Sequence, residues 1–347
     1  MLRRSNRGAI FADREVFGTD WVPADFHSRD GQLDTMATAL EPILSGDPAA
    51  GLFLAGPSGT GKTSSSRYLL EKLATHAGDL HTAVVNCWSE HSRYRVLYRI
   101  VEAIEGERVR TRDHAAAALQ DALRAVESPI VVVLDEADQL AEPEVLYDLY
   151  EIPDLAVVVT ANDRVGVTAG LDERIQSRLR TFREVDFAPY TAAELEPILE
   201  QRVRHGLQPD AIDSTLVADI AHAANGNARD AIAALEGAAR RAVEDGAERI
   251  EADHVERAIA TASHDVRRAT LSRLNDHQRA IFDLLARDGP LSPGTIYERY
   301  RERMDDPRSR RTVRKYVRKL EQYDLLVASG AAQNRTYRLA ADAPRPE

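Results

Sequence analysis

Cysteine is nearly missing from this chain: Cys87 is the only one in 347 residues, so no internal disulfide can form. That fits a reducing cytosol and excludes a disulfide-built secreted scaffold. Lysine is almost as scarce, with Lys62, Lys72, Lys315 and Lys319 alone against 45 Lys+Arg in total. Arginine therefore carries nearly all the basic charge. An acidic, lysine-poor, alanine-rich composition points to a high-salt or GC-rich background, that of a halophilic archaeon. Long apolar runs are also lacking. The longest, Ile130–Leu134 and Leu155–Val159, have the length of a strand and fall far short of a membrane-spanning helix. The opening MLRRSNRGAIF is basic with no apolar core behind it, so no signal peptide is expected and the expected location is cytoplasmic.

What is present is unevenly placed. The formal net charge is −11. Between His264 and Ala340, however, 17 Lys+Arg face 10 Asp+Glu, a net +7 that leaves −18 for the rest. A basic module on an acidic body suggests a polyanion partner for that module, with a solvated basic face as the plain alternative.

Five short apolar runs read as strands: 51–55, 82–86, 129–134, 155–160 and 183–187. They are β-branched and unalternated, as strands buried on both faces are. Helical stretches separate them, at 30–44, 62–77, 94–105, 112–126, 142–149 and 171–179, which implies a parallel α/β sheet covered on both sides. After Pro189 the strand signal stops and four amphipathic helices follow (191–205, 212–223, 228–244 and 252–262). Three more helices (276–286, 292–303 and 308–322) and two extended pieces (325–328 and 336–339), with Gly330 and Asn334 between them, spell a winged helix. The expected domains are 1–188 (α/β), 189–263 (helical) and 264–347 (winged helix).

Directly after the first strand stands GPSGTGKT: Gly56, Pro57, Ser58, Gly59, Thr60, Gly61, Lys62 and Thr63, with Ser64 next. This is the P-loop pattern in its required setting, after a strand and opening a helix. Its glycines let main-chain N–H groups converge on phosphate oxygens, Lys62 brings positive charge to the β/γ-phosphates, and Thr63 offers a hydroxyl to Mg²⁺. ATP/ADP and Mg²⁺ are the cofactors this implies. The strand IVVVLDEAD at 130–138 ends in Asp135, for the metal, and Glu136, for polarising the attacking water. Asp138 reads either as a further site carboxylate or as a cap of the next helix. Asn162, after the fourth strand, reads as a group that orients this water; in isolation it would be a turn residue.

The helix at 308–322 carries Arg308, Arg310, Arg311, Arg314, Lys315, Arg318 and Lys319. Positions 311, 314, 315 and 318 share one face; Val313, Tyr316, Val317 and Leu320 share another. An apolar back and a cationic front are what a recognition helix needs in the major groove of double-stranded DNA. Most of the cations would meet phosphate, leaving Ser309, Thr312 and the arginines to read bases. Arg335 and Tyr337 would reach the minor groove or backbone.

On these motifs the chain resembles the AAA+ replication initiators of archaea and eukaryotes, the origin recognition complex and cell division control protein six group. The likeness extends over nearly the whole length. It takes in the entry segment 16–30, the P-loop, LDEADQL (134–140), NCWSEHSRYRVL (86–97), LDERIQSRL (171–179), APYTAAEL (188–195), GNARDAI (226–232) and the winged helix. The resemblance implies an AAA+ P-loop sheet with a helical lid and a C-terminal winged helix. It also implies that Asn162 is sensor 1 and Arg229 is sensor 2, and that Val22, Arg29 and Tyr190 line the adenine pocket. Family members more often carry Asp where this chain has Asn227. The arginine finger would be Arg178, with Arg174 in reserve, and would act on a neighbouring subunit, so a lone subunit hydrolyses ATP slowly. A DNA contact from the ATPase domain would fall to Arg93, Tyr94 and Arg95. The implied function is a replication initiator, nucleoid-associated, that binds origin duplex DNA, self-associates there and promotes loading of the replicative helicase. A paralogous regulator of transcription or plasmid replication is the alternative. The winged helix argues against a clamp-loader subunit.

Overall fold

The computed structural model describes residues 10–106, 115–168, 171–272, 274–323, 325–330 and 335–340. The chain forms two compact units, Gly18–Gln201 and Met1–Phe17 with Arg202–Glu347.

In the Gly18–Gln201 unit, α1 (Asp30–Leu40) stops where Pro42 enters, and a 3-10 turn (Glu41–Ser45) replaces the rest of the expected helix. Then follow β1 (Leu52–Ala55), α2 (Lys62–His76), β2 (His81–Asn86), α3 (Arg93–Glu105), α4 (Ala116–Arg124), β3 (Ile130–Asp135), α5 (Val145–Tyr150), β4 (Leu155–Ala161), α6 (Arg164–Thr168), α7 (Glu173–Leu179) and β5 (Arg183–Asp186). The start of the expected helix at 112–126 lies outside the described residues. α8 (Ala192–Gly206) begins in this unit.

The strands pair in parallel in the order β2-β3-β4-β1-β5. Successive side chains of a strand point to opposite faces, and here both faces are buried. Val132 and Leu134 of β3 join Phe53, Val157 and Val159 in a core with α3, α4, α5 and α7. Val131 and Val133 join Leu52, Leu54 and Val158 in a second core with α1 and α2. An apolar run without alternation is thus required by the two-sided burial. Since all five strands run the same way, the carboxyl ends of β1, β3 and β4 lie along one edge, where α/β sheets hold ligands.

In the other unit, α9 (Ser214–Ala223) is capped by Asp213 and α10 (Ala228–Glu244) by Asn227. α10 buries mostly small residues, Ala231, Ala234, Gly237, Ala238 and Ala242 among them, which allows close packing with α11 (Ala252–Ser272). The sequence pattern ends that last helix at Ala262. It runs on to Ser272, through the expected 263/264 boundary, because no glycine or proline interrupts the sequence there. Next come α12 (Asp276–Asp288), α13 (Pro293–Arg303), α14 (Arg310–Gln322) and the antiparallel pair β6 (Leu326–Ser329) and β7 (Thr336–Leu339). Asn334, expected in the turn between these strands, lies outside the described residues. Asn275, Ser292 and Ser309 cap the three helices, Asn275 in a reciprocal box with Gln278. Leu291 bridges to Tyr337 as a third short strand. Phe282, Ile296, Tyr300, Val313, Val317 and Leu320 fill the core between helices and sheet. Among the described residues no helix is long and apolar enough to cross a membrane.

Candidate functional site

The P-loop follows β1 at the carboxyl edge of the sheet and opens α2 at Lys62. Two glycines are obligatory there. Gly61 caps α2 with φ +93°, and a side chain on it would collide with the Tyr190 hydroxyl. Gly56 has φ +152°, and a Cβ would collide with the Phe187 carbonyl oxygen. The loop is therefore pressed against the segment leaving β5. Its start is fixed from the other side, since the Gly56 N–H donates to the Asn162 carbonyl (3.1 Å). The Lys62 ammonium lies over the loop, donating to the carbonyls of Gly56 (2.6 Å) and Pro57 (2.7 Å). The N–H groups at the amino end of α2 and this ammonium together make an anion site.

Asp135 faces the loop from the end of β3. Thr63 Oγ1 donates to Asp135 Oδ1 at 2.9 Å, and Thr160 Oγ1 donates to the same oxygen at 2.6 Å. Thr160 in turn accepts the Glu136 N–H at 3.0 Å. Thr160 is 1% exposed and escapes sequence reasoning, because a threonine inside VVVTA reads as an ordinary strand former. Here it ties both residues of the acidic pair to β4. Glu136 sits in the left-handed region (φ +56°), a strained place for a non-glycine residue of the kind that gathers at active sites. Asp138 is 8% exposed and sits inside a short 3-10 turn (Ala137–Gln139).

Burial pushes the Asp135 carboxyl above its ordinary range, and the Glu136 charge adds to this; the bonds from Thr160 and Thr63 and the charge of Lys62 oppose the shift. A hydroxyl and a carboxylate in contact are hard oxygen donors suited to Mg²⁺, and a divalent cation would offset the cost of the buried charge. Thr63 and Asp135 therefore fit the metal. Among the described residues no three His, Cys, Asp or Glu side chains form a metal cage, so a magnesium ion here would share its coordination with phosphates.

A raised carboxyl pKa favours the folded state only while the acid is protonated, and that stability is lost as the pH rises through the folded-state value. Asp135→Asn removes the ionisation. Without nucleotide or metal, it should raise stability at neutral pH by about 0.5–2 kcal/mol, while ATP turnover falls. Thermal melts of both proteins across pH check this. The difference should vanish below the ordinary carboxylate range, where the native acid is protonated as well. A destabilised variant at neutral pH would show that hydrogen bonding at Asp135 outweighs its burial.

The expected adenine-pocket residues do not share one role. Val22 is half-buried. Arg29, 4% exposed, is turned inward: Nε donates to the Thr60 carbonyl (3.2 Å), a terminal nitrogen donates to the Ala188 carbonyl (2.6 Å), and the guanidinium lies 3.7 Å from the ring centre of Tyr190. Burial raises the Tyr190 phenol pKa, and the Arg29 charge opposes it. Arg178 lies against Tyr147 and Tyr150 of α5, with a guanidinium nitrogen 3.8 Å from Glu151, whereas Arg174 is 77% exposed beside Asp172. Arg229 stands in the first turn of α10, in the other compact unit, its N–H held by the Asn227 side chain at 3.0 Å. Asn227, the departure from the family pattern, is the cap that starts this helix.

On α14 the expected face is there. Arg308, Arg310, Arg311, Arg314 and Arg318 are exposed, while Thr312 and Lys315 are half-buried. Lys319, outside that face, is 1% exposed, with its ammonium 4.5 Å from the ring centre of Tyr323, and belongs to the inner side of the helix. Arg308 is anchored by its N–H to the Tyr300 hydroxyl (3.0 Å) and by Nε to His277 Nε2 (3.2 Å). Arg335 is held bidentate by Glu321 (2.9 and 3.1 Å). Tyr337 is 6% exposed, because alternation along β7 turns it into the core, where it packs. The second expected DNA contact also changes character. Arg93 pairs with Asp148 (2.5 and 2.9 Å), and Arg95 and Arg99 both hold Glu90 (2.8 and 2.7 Å). Those arginines hold Glu90 below the usual carboxylate range against the opposing effect of burial. The cations of α3 are thus paired within the protein while Arg95 and Arg99, their side chains 47% and 42% exposed, still face outward together with Tyr94, 38% exposed and packed beside Tyr98.

Residues 47–171 match the AAA domain family, and residues 196–260 match the Cdc6 AAA+ ATPase-type lid domain. ORC1-type DNA replication protein 9 of Halobacterium salinarum is 37% identical over 95% of this chain and 94% of its own length. ORC1-type DNA replication protein 1 of the same organism is 36% identical over 88% of this chain and 100% of its own. Among solved structures, the Aeropyrum pernix ORC1 protein in complex with DNA has a TM-score of 0.74 and 28% identity, covering 97% of this chain and 95% of that one.

Proposed function

The chain belongs to the ORC1-type DNA replication proteins, and from that premise we propose that it is an ATP-dependent replication initiator, switched by nucleotide and bound to origin duplex DNA through α14. The observation that carries the nucleotide half is the convergence of Lys62, Thr63, Asp135, Glu136 and Thr160 at one edge of the sheet. The exposed arginine row of α14 supports the DNA half, as does the binding of the Aeropyrum pernix relative to DNA in its complex.

In this reading the glycine-shaped loop and Lys62 hold the β- and γ-phosphates, and Glu136 takes the proton from the attacking water. Thr63 and Asp135 would hold Mg²⁺, which when bound would supply positive charge against that developing on the phosphates. Asn162 orients the water as sensor 1, and Arg229 serves as sensor 2. Arg178, or Arg174 in its place, completes the site of a neighbouring subunit on DNA. A lone subunit then turns over slowly, and the bound nucleotide acts as a switch for helicase loading. The protein works in the cytoplasm, on the nucleoid.

Genome-wide mapping of binding in the native cell tests this. Native protein should give a few sharp peaks at replication start points, lost in Arg314→Ala/Arg318→Ala. Peaks spread over promoters would make the protein a regulator of transcription, and peaks indifferent to the two arginines would remove α14 from the reading.

A further inference from the structure

The segment entering α1 is stapled to the segment leaving β5. Gln201 Nε2 donates to the Asp25 carbonyl (2.6 Å), Ser28 Oγ to the Glu194 carbonyl (3.0 Å), Arg29 to the Ala188 carbonyl (2.6 Å) and Gln32 Nε2 to the Asp186 carbonyl (3.3 Å). Ser28 carries a left-handed φ of +66°, which persists only where the surroundings over-determine the backbone. Its consequence is the placing of Arg29.

Arg29 is unusual in its own right. It is 4% exposed, and among the described residues no carboxylate lies within ion-pair distance of it. A buried cation without an anion is costly, so its place calls for a reason. Three of its contacts bear directly on the P-loop: the Thr60 carbonyl inside the loop, the Ala188 carbonyl in the connector the loop presses on, and the ring of Tyr190, whose hydroxyl fills the space a Gly61 side chain would need. In a trans peptide the carbonyl and the N–H point opposite ways, and among the described residues no peptide is cis. Holding the Thr60 carbonyl toward Arg29 therefore turns the Gly61 N–H away from it, out of the Arg29–Tyr190 side of the loop. The planar guanidinium suits this role, since one edge serves two carbonyls while the face rests on the ring.

We infer that Arg29 is a positioning residue for the phosphate cradle: it fixes the Thr60–Gly61 peptide and locks the loop to the β5–α8 connector, and it does not read the base. The inference rests on the reading of Gly56–Thr63 as a nucleotide site. The Arg29 charge, with Glu194 near but outside ion-pair distance, adds to that of Lys62 in attracting an anion.

The test is calorimetric titration of the full chain with Mg²⁺-ADP and Mg²⁺-GDP, with melting temperatures alongside. Arg29→Lys keeps the charge and loses the fork; Tyr190→Leu removes the ring that sets its plane. Both should bind ADP about tenfold or more weakly, while the preference for ADP over GDP stays within about twofold of native. The nucleotide-free melting temperature should stay close to native. A base preference that falls with affinity would put Arg29 in the adenine pocket and overturn the inference. So would native affinity with a lowered melting temperature, or failure of both variants to fold, since either assigns Arg29 to the core alone. A native chain that does not bind ADP would sink the nucleotide-site reading itself.

Discussion

Glu136→Gln should lower ATP turnover by about 10²–10⁴-fold while leaving ATP affinity within roughly threefold. The geometry separates the two effects. The Glu136 main-chain N–H donates to Thr160, and an amide side chain leaves that bond untouched. The loop that holds phosphate is shaped by Gly56, Gly61 and the Lys62 ammonium on the Gly56 and Pro57 carbonyls. Removing the carboxylate should thus remove the base and spare the cradle. Lys62→Ala is the converse: it takes away the ammonium that spans the loop, so binding itself should fall. Single-turnover ADP formation on DNA, beside equilibrium ATP titration, distinguishes them. Unchanged turnover in Glu136→Gln would place the base elsewhere. Asp138, 8% exposed and two residues on, would then be the next carboxylate to test.

The nucleotide edge is legible in the sequence because its chemistry is local. The eight-residue loop, the strand before it and the helix after it are contiguous, and the two-sided burial of the sheet forces unalternated strands that stand out. What cannot be read there depends on partners distant in the chain. Arg93 reads as a free cation until the fold brings Asp148 of α5, 55 positions away, against it. Family likeness places Arg29 at the base, yet its carbonyl partners at Thr60 and Ala188 become visible only when the two segments meet. Thr160 carries a polar role in a β-branched side chain, so strand propensity masks it. Tyr337 had a usable signal: period-two alternation along β7 sets it on the same face as the core, opposite its neighbour Arg338.

Arg314→Ala/Arg318→Ala should weaken duplex DNA binding and reduce the slope of log affinity against log salt by about 1.8, at roughly 0.9 for each phosphate neutralised by one arginine. These two arginines are chosen because both are exposed on the outer face of α14, while Val313 and Val317 beside them hold the helix in place from the core. Stability should therefore change little, and the loss belongs to the interface. Arg93→Ala/Arg95→Ala provides the contrast. It strips counter-charges from Asp148 and Glu90, each about a tenth exposed, so its cost should appear in the melting temperature. Fluorescence titration of a labelled duplex at several salt concentrations, with melts in parallel, reads affinity, slope and stability for both variants. A fall in affinity with an unchanged slope would assign Arg314 and Arg318 to base edges. A fall in affinity with Arg93→Ala/Arg95→Ala at unchanged stability would return the DNA contact to α3. The acidic remainder of the chain sharpens the test. A net −18 outside the basic module repels phosphate at low salt, so in a chain of this composition the arginines of α14 work against their own protein's field, and screening that field weakens attraction and repulsion together.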